Sequence, residues 1–175
     1  MHFNHYGEDA VRLAATLANA MPSDAAALQR RYQDAGFVLE SPGVTEQDHR
    51  RTAAFITEWR EVAAASEPTE RAERLNRLLL RHAAAPRLTN HLGDGWHLHF
   101  RDDEVEAWHQ IATLISAATA LHLTGRGIDR MGICALQECT NVYVDISRNG
   151  RQRYCGTTCS NRDAVRRHRQ RTAAS

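Results

Sequence analysis

Apolar residues recur at helical spacing through the first half of the chain. Over 9–20, Val11, Leu13, Ala14, Leu17 and Ala18 fall on one side of a 3.6-residue period. Ser23 or Asp24 is placed to cap a second helix that buries Leu28 and Tyr32 and ends at Gly36. Thr45 with Asp48 three residues on has capping-box spacing and opens a helix with Phe55, Ile56, Trp59 and Val62 inside. Pro68 suits the first turn of a fourth helix, which runs to His82 and groups Leu75, Leu78 and Leu79.

The period then shortens. Arg87–His91 and Trp96–Phe100 flank Gly93-Asp94-Gly95, which predicts a β-hairpin. Asp102 or Asp103 is placed to cap a long helix to His122, with Val105, Trp108, Ile111, Ile115 and Ala118 on one face. Thr124-Gly125-Arg126-Gly127 reads as a hinge into a different kind of segment.

Charge sharpens that division. Every cation is arginine; residues 1–125 hold 12 Arg against 17 Asp and Glu, and residues 126–175 hold 10 Arg against 4. An acidic body with a basic tail suggests two working parts, 1–125 and 126–175. No stretch approaches the ~18 apolar residues of a membrane span. The first 30 residues carry Glu8, Asp9 and Asp24 and no basic segment leading into an apolar run, so the expectation is a cytoplasmic protein.

All four cysteines lie in the tail, as Cys134-x4-Cys139-x15-Cys155-x3-Cys159. Two short-spaced pairs joined by a longer loop suit a tetrahedral Zn²⁺ site, the thiolates closing around the ion and supplying the folding free energy of a segment too small for its own core. Two disulfides, or a redox switch that releases the ion, are the competing readings; a reducing compartment favours metal. Between the pairs, Val142–Asp145 reads as a strand, Ser147–Gly150 as a turn and Arg151–Tyr154 as the returning strand. Thr157 or Thr158 would then cap a helix to about Arg171 with Cys159 in its first turn. The fold class expected is mainly α with a β-hairpin: a helical N-terminal domain followed by a C-terminal zinc finger of treble-clef type.

The stretch Ile133-Cys134, Asp145–Cys155, Cys159-Ser160-Asn161-Arg162 and Val165–Arg169 resembles the CGNR zinc-finger family of bacterial proteins. In that family the finger follows a helical ABATE domain, and Leu17-Ala18-Asn19 stands where the family has Leu-Val-Asn-Thr. The resemblance implies a stress-induced transcription regulator that binds DNA through the finger and senses a small molecule with the helical domain. Ser160 departs from the motif's Gly, and Asp163-Ala164 replaces a pair that often includes Lys, lowering the positive charge beside Arg162.

Arg148, Arg151 and Arg153 flank the predicted turn at Asn149, while Arg162, Arg166, Arg167, Arg169 and Arg171 line the last helix. Each is a planar cation suited to phosphate. Asn161, Arg162 and His168 are the candidate base-edge readers, since Asn pairs with adenine and Arg with guanine. DNA is the expected partner; an acidic protein surface or RNA is the alternative. His91, His97 and His99, and His2 with His5, invite a second metal site, but no acidic partner is set by spacing. Trp59, Trp96 and Trp108 are core residues or the lining of a ligand pocket. A four-thiolate site has no open position for catalytic water, and neither a Gly-rich phosphate loop nor a nucleophile elbow occurs, so no enzyme is expected.

Overall fold

The computed structural model describes residues 7–39, 43–90, 96–102 and 105–173. His2, His5, His91, the Gly93-Asp94-Gly95 turn and Asp103 lie outside them. The body consists of α1 (Glu8–Asn19), α2 (Ala25–Asp34), α3 (Glu46–Ala64), α4 (Pro68–His82), a hairpin of β1 (Arg87–Thr89) and β2 (His97–His99), and α5 (Ala107–Arg126). The tail adds β3 (Met131–Ile133), β4 (Val142–Val144) and α6 (Thr157–Ala173).

The helix ends follow local chemistry. Asp24 Oδ1 accepts from Ala27 N–H at 2.8 Å and starts α2. Thr45 and Asp48 form the expected capping box on α3. Asp48 also serves a second helix, because its Oδ1 accepts from Trp108 N–H at 3.1 Å in the first turn of α5. That carboxylate stands in for the local cap expected of Asp102, which lies before the helix start and does not cap it.

α5 is the hub, packing against α1, α3 and α4. Residues 110–119 of α5 are all buried, so one amphipathic stripe understates it. Trp59 Nε1 of α3 donates to Thr119 Oγ1 at 2.9 Å inside this core. Trp59 is solvent-free, Trp108 half-buried at the start of α5, and Trp96 exposed on the hairpin.

Two expectations need correcting. The hinge expected at 124–127 is helix as far as Arg126, and α5 stops at Gly127, where φ is +121°. Arg126 pairs with Glu8 of α1, a tertiary contact that holds the helix past Gly125, and its carbonyl accepts from Arg130 Nε at 2.9 Å. The strand expected at 151–154 does not form. β4 pairs instead with β3, antiparallel, Met131 opposite Val144 and Ile133 opposite Val142, so the first cysteine pair lies in the loop of that hairpin. The Asn149-Gly150 turn is present without a ladder behind it.

The core continues across position 125. Met131, Val142 and Val144 belong to the same buried cluster as the residues of α1, α3 and α5. Arg71, 4% exposed, secures the connection by donating to the carbonyls of Val62 and Ala65 and, at 2.7 Å, to that of Ile128. Among the described residues no helix is long and apolar enough to cross a membrane.

Candidate metal centre and basic surface

The β3–β4 loop carries Cys134 and Cys139, the end of the 145–155 loop carries Cys155, and the first turn of α6 carries Cys159. All four sulfurs lie within 4.8 Å of one another. Cys155 Sγ is 3.7 Å from Cys139 Sγ and 3.6 Å from Cys159 Sγ. An ion with ~2.3 Å bonds to four tetrahedral sulfurs spaces them by about 3.8 Å, whereas a disulfide would hold two at about 2.05 Å. The four cysteines are unbonded to each other, and the set fits a thiophilic metal ion. Among the described residues they form the one His, Cys, Asp or Glu group able to hold an ion. The His97 side chain lies outside that description.

The four thiols differ in their surroundings. The Asn141 backbone N–H holds Cys139 below the ordinary thiol range. Burial pushes Cys155 up. Proton sharing with Cys155, reinforced by burial, pushes Cys159 up to about 12. A divalent cation reverses this by replacing the protons.

A buried aspartate builds each side of the centre. Asp145, 1% exposed, accepts from Ser147 N–H at 2.8 Å through Oδ1 and from Gln152 N–H at 3.1 Å through Oδ2. It thereby closes the loop that presents Arg148, Asn149, Arg151 and Arg153, all exposed. Arg130 lies under this loop, 3.4 Å from Asp145, and donates to the Ser147 carbonyl at 3.0 Å. Gly150 has φ +66°, which favours glycine, and a Cβ there would stand 2.6 Å from the Arg130 guanidinium carbon and displace that side chain. An Ala135 N–H to Arg153 carbonyl bond of 2.8 Å ties the loop to the first cysteine pair.

Asp163 does the same for α6. Its Oδ2 accepts from the Tyr154 hydroxyl at 2.7 Å, its Oδ1 is 2.5 Å from Arg166, and Arg167 Nε is 3.0 Å from Oδ2. The Tyr154 hydroxyl holds the Asp163 carboxyl below the ordinary carboxylate range, against burial and with help from the two arginines. Asp163 is thus a seat for the helix as well as a negative charge among its arginines.

Asn161, Arg162, Arg167, His168 and Arg169 are exposed along α6, and Arg166 is half-buried. Glu138, between the first two cysteines, lies 3.0 Å from Arg162 and 3.9 Å from Arg166. The two arginine groups therefore flank the same knuckle, one tied through Ala135, the other through Glu138. Sequence reasoning missed Glu138, Asn141, Asp145, Tyr154 and Asp163 as site residues. Asp145-x-Ser147 is a legible side-chain turn signature; the others have no local signal.

The sequence model of the CGNR zinc finger family matches residues 130–172. The match begins at Arg130, beneath the arginine loop, and takes in all four cysteines and nearly all of α6. Among curated proteins no sequence matches the chain.

Proposed function

We propose that this chain is a zinc-dependent, DNA-binding transcription regulator of the cytoplasm, in which a zinc finger at 126–175 meets DNA and the helical body, 1–125, is an ABATE-like sensing domain. The observation that carries the reading is the mounting of arginines on both sides of a four-thiolate knuckle within a segment matched by a zinc-finger family. An all-cysteine tetrahedral set favours zinc. Bound there, the ion supplies rigidity and no open coordination position, so the proposal assigns no catalysis.

Phosphate contacts fall to Arg148, Arg151, Arg153, Arg166, Arg167 and Arg169, with Asn149 at the loop tip. Asn161, Arg162 and His168 in the exposed part of α6 are the base-edge readers. Arg162 can leave the half-exposed Glu138 carboxylate for a base edge, and Arg166 can leave it for a phosphate while keeping its 2.5 Å pair with Asp163, at little cost, because surface ion pairs contribute about 0–1 kcal/mol. A second reading has one observation in its favour. Val165, 50% exposed, lies with Leu136 along a groove edged by Arg162, Arg166 and Arg169, which suits an acidic peptide with an apolar anchor.

The test uses the full chain, because Met131, Val142 and Val144 of the tail are buried in the body's core. Metal analysis of reduced protein should give one zinc per chain. Titration of a generic duplex at several salt concentrations should give a log–log slope of about −4 to −5 for four to six phosphates. Salt-independent binding, or none at low salt, refutes the DNA reading, and preference for structured RNA moves it to RNA. Arg166→Ala with Arg167→Ala should weaken binding on all sequences, and Asn161→Ala should blunt sequence preference.

A further inference from the structure

Three consecutive residues, Thr140, Asn141 and Val142, are gripped by the helical body and in turn grip the cysteines. Asn19, the last residue of α1, closes a double hydrogen bond on Val142. Its Nδ2 donates to the Val142 carbonyl at 2.8 Å and its Oδ1 accepts from the Val142 N–H at 2.7 Å. The side-chain amide thus imitates a neighbouring strand on the edge of β4 that faces α1. From α3, Arg60 donates to the Thr140 carbonyl and, at 3.4 Å, to that of Ala18.

Asn141, between these two anchors, faces the sulfurs. Its Nδ2 is 3.6 Å from Cys155 Sγ, and its carbonyl accepts from Cys134 N–H at 2.8 Å. One residue therefore touches a cysteine from each of the two pairs. Both of its chain neighbours are bonded to helices of the body.

We propose that Asn141 is an outer-sphere residue of the metal centre and that the strap Thr140–Val142, held by Asn19 and Arg60, makes the helical body a determinant of metal affinity. The inference rests on the cysteines holding a metal ion, as proposed above. N–H donors disperse thiolate charge and fix ligand orientation, and loss of such outer partners weakens metal binding by about 10–100-fold. Linkage makes the effect reciprocal: if the body sets metal affinity, metal must stabilise the body by the same coupling. Anything that shifts the end of α1 against α3 then reaches the sulfurs through one residue.

The test uses full-length protein, stripped of metal under reducing conditions. Zn²⁺ affinity is measured against a chromophoric chelator, and unfolding is followed by tryptophan fluorescence, since Trp59, Trp96 and Trp108 all belong to the body. With free zinc a hundredfold above its Kd, the fluorescence transition should rise by about 5–10 °C. Asn19→Leu should weaken zinc by about tenfold or more. Asn141→Ala should move the sulfur-to-metal charge-transfer band of the Co²⁺ form to longer wavelength, because the thiolate loses an N–H donor. A body transition indifferent to bound zinc, an unshifted Co²⁺ band, or a folded Asn19→Leu protein of wild-type affinity overturns the proposal. If Asn19→Leu does not fold, Arg60→Gln, at a half-buried position, carries the same expectation with the same refutation. A wild-type protein that binds no metal overturns the metal reading as well, and so is told apart from bound zinc with an unresponsive body.

Discussion

On the proposed DNA-binding function, replacing Glu138 by glutamine should strengthen binding to a DNA duplex. The Glu138 carboxylate stands 3.0 Å from Arg162 and 3.9 Å from Arg166, and both partners are substantially exposed. A phosphate taken up by Arg166 would lie roughly 6 Å from that carboxylate, the span of a guanidinium with its hydrogen bonds. Repulsion over this distance is about 0.7 kcal/mol in water and about 3 kcal/mol at an effective dielectric of 20. Glu138 is 51% exposed, which favours the lower end. Screening over ~8 Å at physiological salt roughly halves it. Glu138→Gln should then tighten duplex binding by about two- to fivefold at physiological salt and more at low salt. The log–log salt slope should steepen by up to about 0.9, the value of one phosphate contact. Fluorescence anisotropy with a labelled duplex at four salt concentrations measures both quantities. Glu73→Gln, on the exposed face of α4, serves as a control that should change neither. Equal or weaker binding by Glu138→Gln, with an unchanged slope, would show that no phosphate approaches Arg166 beside Glu138.

Two further substitutions probe the supports. Asp48 bonds to Thr45 N–H at 2.9 Å and Trp108 N–H at 3.1 Å, so Asp48→Asn turns one acceptor into a donor facing a donor. The expected loss is about 2–4 kcal/mol, or a fall of roughly 5–12 °C in Tm by circular dichroism. Burial pushes the Asp48 carboxyl up, but the bonds from Thr45 and Trp108 outweigh it and hold the group below its ordinary value. Its contribution is therefore complete above the unfolded value near ~3.9 and disappears as pH falls through the lower native value. Asp48→Asn should flatten that part of the acid limb, and a variant as stable and as acid-sensitive as wild type would contradict this. Tyr154→Phe removes the hydroxyl that donates to Asp163 at 2.7 Å. Amide exchange in the first turns of α6 should accelerate several-fold while α5 stays protected, and uniform protection would argue against Tyr154 as the seat of the helix.

Much of this protein was legible along the chain because the signals were local. The capping box at Thr45 and Asp48, Asp24 before α2, Pro68 opening α4 and the cysteine spacing each specify their neighbours within a few residues. Helical period placed Leu17, Leu28, Phe55, Trp59 and Leu78 inside without reference to partners. The errors arose where a distant residue decided. Gly125 reads as a break until Glu8 is found beside Arg126. Val142–Val144 reads along the chain as pairing with 151–154, the segment just beyond the Asn149-Gly150 turn. Residues 131–133 took the place because they bury Met131 in the body's core while Asp145 draws the backbone of 151–153 into a loop.

By itself, then, the order of residues determined six helices, a basic tail and four sulfurs able to meet at one ion, because periodicity, caps and ligand spacing act over short stretches. Tertiary structure alone decided that the tail shares the body's core and that Asn19 reaches Val142. It also decided that Asp163 and Glu138, read along the chain as mere loss of charge or not read at all, hold the arginines in place. A side chain's partner more than a hundred positions away leaves no trace in local pattern. It exists only once α1, α3 and the β3–β4 hairpin have packed and the unpaired backbone of Val142 needs a donor and an acceptor.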